Sequence, residues 1–65
     1  MAYVIKMDVH NGQTRETLDN SECLTVAGAE KSIDDLVNNL GWNRDSLHIV
    51  EDNDPITVAA AECNA

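Results

Sequence analysis

The feature that most constrains this chain is an alternating segment at residues 2–10, which is followed at once by Asn11-Gly12. In an extended chain successive side chains point to opposite faces, so one face would carry Tyr3, Ile5, Met7 and Val9. Asn-Gly tolerates the positive φ angles that a two-residue hairpin turn requires. The segment therefore predicts a half-buried strand that opens a β-hairpin.

A two-residue turn also determines which residues of the two strands lie opposite one another. The predicted pairs are Val9 with Thr14, Asp8 with Arg15, Lys6 with Thr17, and Ile5 with Leu18. The pair of Asp8 with Arg15 is complementary in charge. Met7 opposite Glu16 fits this register less well, which favours fraying or a bulge near the start of the second strand.

A helix is predicted by the i, i+3, i+4, i+7 spacing of Ile33, Leu36, Val37 and Leu40. Ser32 precedes this apolar stripe and suits an N-cap, with Asp35 in the capping-box position. Gly41 suits the left-handed position that ends a helix, and Trp42 then lies where it can pack back on the last turns. The pattern predicts a capped helix over Ser32–Leu40.

The remaining segments give weaker signals. Further strands are predicted at Cys23–Ala27, Leu47–Val50 and Ile56–Ala60, although Ala27–Lys31 could instead begin the helix early. Turns are predicted at Asp19–Ser21 and Asn43–Asp45, an acidic loop at Glu51–Pro55 and a loose tail at Glu62–Ala65. Together these elements predict an α+β fold: a small, mostly antiparallel sheet (the N-terminal hairpin plus two or three further strands) with one amphipathic helix packed on one face.

The chain is strongly acidic, with a formal net charge of -8 over 65 residues. From Asp45 to Ala65 it has five acids and no Lys or Arg. A hydrophobic content of 43% is too high for a disordered acidic tail, so we expect one folded acidic domain over residues 1–65. A domain this small has a marginal core, which leaves a homodimer open.

The same composition bears on partners and location. The excess of acid argues against direct binding to nucleic acid or to anionic lipid. The chain has no apolar run long enough to span a bilayer, and Lys6 and Asp8 interrupt the N-terminal segment where a secretory leader would be apolar. The sequence therefore predicts a soluble cytoplasmic protein without a membrane partner.

Metal and catalytic motifs are not found. Zinc ligands come in closely spaced pairs, whereas Cys23, Cys63, His10 and His48 are scattered singly. Asp52-Asn53-Asp54 could open a calcium loop, but the bidentate Glu that such a loop needs at its twelfth position is missing. We find no nucleophile–base signature and no glycine-rich phosphate loop. The sequence predicts no catalytic residue, no metal and no cofactor, and a thiol or metal protein using the two cysteines stays as a minor alternative.

The carboxylates are the candidate binding groups, because spaced carboxylates on a rigid body can imitate the phosphates of DNA. The candidates are Glu51, Asp52 and Asp54 in the loop, Asp34 and Asp35 on the helix, and Asp19, Glu22 and Glu30. The loop acids carry more weight, since capping and the helix dipole would already explain the helix acids. A solvated acidic surface that keeps a small protein soluble is the plainer interpretation.

In its size, its acidity, its acidic run Glu51-Asp52-Asn53-Asp54 and its capped helix Ser32–Leu40, the chain resembles the small acidic anti-CRISPR proteins of phages and mobile elements, the DNA-mimic type. The resemblance implies a non-enzymatic inhibitor in the host cytoplasm. Its partner would be a basic nucleic-acid-binding protein, a CRISPR effector subunit of a Cascade-type complex, whose DNA- or PAM-recognition surface it would cover.

A function from another class stays open. An acidic protein–protein adaptor or antitoxin-like regulator would pair with its partner through an apolar patch or a sheet edge. An exposed Trp42 would mark such a patch.

Overall fold

A hairpin at the N-terminus begins the fold, and a later strand completes an antiparallel sheet. The computed structural model describes residues 1–64. Strand β1 spans Tyr3–Val9, β2 spans Thr14–Thr17 and β3 spans Leu47–Glu51. The strand order is β2-β1-β3, so β1 lies in the centre and pairs antiparallel with both neighbours. The predicted hairpin and the predicted strand at residues 47–50 are confirmed.

The hairpin has the predicted register. Val9 pairs with Thr14, and the amide of Leu18 donates to the carbonyl of Ile5 at 2.9 Å. Asn11 and Gly12 both have positive φ, as the Asn-Gly turn requires, but His10 does too, so residues 10–13 all lie outside the strands. Left-handed geometry thus begins one residue earlier than the sequence indicates.

The expected disturbance near the start of β2 does not occur. Met7 pairs regularly with Glu16, and the ladder continues through Thr14 without a bulge. The physical reason is that β2 is an edge strand in which every residue is exposed. The carboxylate of Glu16 therefore reaches water, and its pairing with an apolar residue carries no desolvation cost.

Helix α1 spans Val26–Leu40 and begins well before Ser32, close to the early start at Ala27–Lys31 that the sequence left open. Thr25, not Ser32, is the N-cap, and its side chain accepts a hydrogen bond from the amide of Gly28 at 3.0 Å. Ser32 lies inside the helix, where its hydroxyl donates to the carbonyl of Gly28. The early beginning is favoured because Ala29 continues the apolar stripe one turn back from the predicted helix and is fully buried.

The predicted strand at Cys23–Ala27 is therefore wrong. Its second half belongs to α1, and Cys23 forms a single bridge with Tyr3. The predicted end of the helix is confirmed, because Gly41 has a φ of 71° and its amide donates to carbonyls of the last turn. Trp42 follows and packs against the core.

Helix α2 spans Pro55–Cys63, where the sequence suggested a strand at Ile56–Ala60 and a loose tail from Glu62. Asp54 caps this helix and Pro55 occupies its first turn, which is a favourable start for a helix. The alternation of Ile56 with Val58 is too short to outweigh these signals and the alanines that follow, since alanine is the best helix former. Of the predicted tail, Ala65 lies outside the described residues.

The core lies between α1 and the sheet. It consists of Ile5, Ala29, Ile33 and Leu47, with Met7, Leu18, Cys23, Leu36, Val37, Trp42 and Ile49 packed around it. Helix α1 contacts β1 and β3, so it covers one face of the sheet. The predicted α+β class is confirmed: one amphipathic helix lies on a small antiparallel sheet, and a second, shorter helix is added to it. Neither helix has the length and apolar character that a bilayer crossing would need in residues 1–64.

Candidate acidic docking surface

Helix α2 is connected to one end of the sheet, which we call the Tyr3 end. Tyr3 pairs with Glu51 of β3 on one side and with Cys23 on the other. The chain leaves β3 at Glu51 and enters α2 four residues later. At the far end of α2 the side chain of Asn64 donates to the carbonyl of Glu22 at 3.3 Å. The helix is thus tied to the segments on both sides of Tyr3.

Five carboxylates are carried by the segments that build this end. We call them the acidic end: Glu22, Glu51, Asp52, Asp54 and Glu62. Three of them are exposed and two, Glu22 and Asp52, are half-buried. The segments themselves (residues 1–5, 21–25 and 51–64) contain no Lys or Arg. The charged side chains of these segments are therefore all negative.

Two of these carboxylates are held by local hydrogen bonds. Asp54 accepts from the amide of Ile56 at 2.9 Å, which makes it the N-cap of α2. Asp52 accepts from the amide of Asp54 at 3.0 Å and from the hydroxyl of Thr57 at 3.2 Å. Local hydrogen bonds therefore account for two of the three predicted loop acids, Asp52 and Asp54, which is the reverse of the sequence interpretation, whereas Glu51 is the last residue of β3 and not part of the loop. The same bonds also hold both carboxylates in fixed positions.

Replacement of Asp54 separates capping from charge. Asp54→Ala should lower the free energy of unfolding by about 1 kcal/mol, because it leaves the first turn of α2 without a side-chain acceptor. Asp54→Asn should leave it nearly unchanged, since Asn caps as well as Asp but carries no charge. Urea unfolding followed by circular dichroism measures both. Equal losses in the two variants would mean that the charge, not the cap, is the stabilising group.

The helix acids have a different role from the predicted one. Because α1 begins at Val26, both Asp34 and Asp35 lie past its middle, and its first turn has no acidic residue. They do not interact favourably with the helix dipole, contrary to the sequence interpretation. Asp34 forms an ion pair with Arg44, and both side chains are about half exposed. An exposed pair of this kind contributes little to stability.

The eight predicted binding residues thus fall into three places. Glu22, Glu51, Asp52 and Asp54 lie together at the acidic end. Glu30 and Asp34 are one turn apart on one flank of α1, while Asp35 points to the other flank, where it borders a groove together with Asp19. The sequence analysis missed Glu62, which it assigned to a loose tail. The Asp54-Pro55 pair was the signal that could have placed it on a helix.

One further charged cluster lies toward the other end of the sheet. Asp8 of β1 accepts from Nε of Arg15 at 3.0 Å and lies 3.0 Å from Nε2 of His48. The hydrogen bond with His48 is the main cause that lowers the pKa of Asp8, with smaller help from Arg15, against partial desolvation, which raises it. The contact with Arg15 follows from the predicted register, whereas the contact with His48 joins residues 40 positions apart and was not predicted.

The contacts of Asp8 with His48 and Arg15 predict that the free energy of unfolding depends on pH in the acid range. A carboxyl whose pKa is lowered on folding contributes stability above its ordinary value of 3.8, and that contribution is lost as the pH falls through the folded value. Asp8→Asn should therefore flatten the decline in unfolding free energy below that pH. Glu16→Gln, at an exposed site on β2, is the matched control and should leave the decline unchanged. If both variants keep the native decline, the His48–Asp8–Arg15 contacts do not contribute to it.

The histidines and cysteines were the candidates for metal and thiol chemistry. Among residues 1–64 no group of three or more His, Cys, Asp or Glu side chains is placed to hold a metal ion. Cys23 and Cys63 are free thiols, the first half-buried and the second exposed. Comparisons with known proteins give no match: no family model fits the chain, and no curated protein or solved structure is similar to it.

Proposed function

We propose that this protein is a non-enzymatic inhibitor that places its acidic end on a basic nucleic-acid-binding surface and so keeps DNA from that surface. The partner is a CRISPR effector complex of the Cascade type, as the resemblance to small acidic anti-CRISPR proteins implies. The protein acts in the host cytoplasm and needs no cofactor and no contact of its own with nucleic acid. The observation that carries the proposal is the acidic end itself, with five carboxylates on segments that contain no Lys or Arg.

The number of charges favours a short recognition site over a long DNA channel. Duplex DNA carries one negative charge per ~1.7 Å of axis, so a PAM of about three base pairs spans roughly 10 Å and carries about six phosphates. The five carboxylates of the acidic end are comparable to that number, and too few to replace a heteroduplex of about 20 base pairs. The number of charges therefore favours a PAM-reading site over a heteroduplex channel as the surface that this end would cover.

The chemistry of the contact also favours basic residues that bind DNA. Carboxylates accept paired hydrogen bonds from Arg, as phosphate groups do, and each such bond is stronger than a neutral one. The local hydrogen bonds of Asp52 and Asp54 hold two of the carboxylates in place before binding, which reduces the ordering entropy that binding costs.

The test is competition with DNA at different salt concentrations. A labelled duplex that contains a PAM is bound to the effector complex, the protein is added, and displacement is followed by fluorescence anisotropy. We expect displacement at ~0.05 M salt and little at ~0.5 M, where the Debye length falls to roughly 4 Å. Failure to displace DNA at low salt would reject the proposal.

The alternative, an adaptor that binds through an apolar surface, is favoured by one observation. Three large apolar side chains are strongly exposed: Met1 at 74%, Leu40 at the end of α1 at 60% and Ile56 in α2 at 81%. Trp42, in contrast, is half-buried against the core and does not mark an exposed patch. A complex that survives ~0.5 M salt would favour the adaptor, because hydrophobic contacts are not screened.

A further inference from the structure

A groove of about 500 Å³ runs along α1 on the side away from Arg44. Its two walls are α1 and the segment Leu18–Ser21, which follows β2. The floor is apolar and consists of Ile5, Leu18, Leu36, Leu40 and Trp42. The volume falls within the range of ~300–1,000 Å³ that is usual for sites that take a small ligand or a side chain.

Some polar groups of the groove already form hydrogen bonds within the protein, whereas others have no ion-pair partner among residues 1–64. The hydroxyl of Ser21 is committed, since it accepts from the amide of Ile5 at 3.1 Å and donates to the carbonyl of Leu18 at 2.7 Å. Asp19 and Asp35 border the groove from opposite walls, and both are exposed. Within the described part of the chain, neither carboxylate forms an ion pair. The groove therefore joins an apolar floor to two free negative charges.

We infer that this groove binds a segment of a partner protein in which an apolar side chain is flanked by Lys or Arg. The apolar side chain packs on Leu40 and Trp42, and the cations pair with Asp19 and Asp35. Charge complementarity selects this occupant, because a net charge of -8 repels an acidic segment and the charged groups at the rim are both carboxylates. The inference goes beyond the proposed function, since the acidic end contributes none of the groove's lining residues.

The experiment uses the full chain and three short synthetic peptides. Their sequences are Arg-Leu-Leu-Arg, Glu-Leu-Leu-Glu and Arg-Ser-Ser-Arg, each blocked at both ends. Trp42 is the one tryptophan of the chain and lines the groove, so its emission reports on binding beside it, and the variants below assign that binding to the groove. We expect the first peptide to shift the emission in a saturable way. The other two should bind at least about tenfold more weakly, because each lacks either the cations or the apolar side chains.

Variants locate the binding. Asp19→Asn with Asp35→Asn should weaken the first peptide about 5- to 20-fold, since each exposed charge pair contributes a factor of roughly two to five. Glu51→Gln with Glu62→Gln removes the same amount of charge from the acidic end. This pair should weaken binding of the first peptide less than about twofold. Leu40→Ser, at an exposed site, should also weaken binding. If no saturable shift occurs, or if both charge-removal pairs act equally, the groove is not the site.

Discussion

Ile5→Ala is expected to remove a large part of the free energy of unfolding of this domain. Ile5 is 1% exposed and is the largest fully buried side chain of the described residues. Truncation of a buried isoleucine costs about 2–5 kcal/mol, because it removes apolar contact and leaves a cavity. A domain of this length has a total stability of about 3–10 kcal/mol. One substitution therefore removes a large part of the margin, which urea unfolding by circular dichroism would show.

The matched control is Ile56→Ala, which makes the same chemical change at a site that is 81% exposed. Its free energy of unfolding should stay within about 0.5 kcal/mol of the native value. A loss below about 1 kcal/mol for Ile5→Ala would contradict the position of the core between α1 and the sheet.

The second large effect concerns binding. Reversal of Glu22, Glu51 and Glu62 to Lys should weaken the effector complex at least about 100-fold, because like charges brought together at an interface cost several kcal/mol. These three acids are chosen because none of them caps α2 with its side chain. The net charge changes from -8 to -2, since each reversal adds two. The fold should remain stable, as self-repulsion decreases.

The control reverses Glu16, Glu30 and Asp45 to Lys, which changes the net charge equally at exposed sites that are not part of the acidic end. The control set should weaken binding by less than about tenfold, because it reduces only the long-range attraction between the protein and its basic partner. Titration calorimetry at low salt measures both sets. Equal losses in the two sets would mean that the partner responds to total charge and not to a particular surface.

The fold could be predicted where local residues decide the backbone. Asn11-Gly12 fixed the hairpin register, and Gly41 ended α1 in the left-handed conformation that it favours. The start of α1 was missed because Thr25 and Ser32 are both good caps and the apolar stripe between them depends on Ala29, a weak hydrophobic signal. Helix α2 was mistaken for a strand because the alternation of apolar residues at Ile56 and Val58 was given more weight than Asp54-Pro55, which is a favourable helix start.

The site could be predicted only in part. The excess of acid is visible in the sequence, but its distribution depends on contacts between distant segments. Asn64 joins α2 to Glu22 across 42 positions, and this contact brings Glu62 to the same end as Glu22. The burial that leaves Trp42 at the floor of a groove also depends on tertiary packing, since the tryptophan follows an ordinary helix cap.

The most direct test of the acidic end is a map of where a cationic probe binds. A hexalysine peptide, which has no apolar side chain for the groove, is titrated into the isotopically labelled protein at low salt, and amide shifts are followed by NMR. We expect the largest shifts at Glu22, at residues 51–54 and at Glu62. Shifts of equal size at Glu16, Glu30 and Asp45 would contradict a single electronegative end.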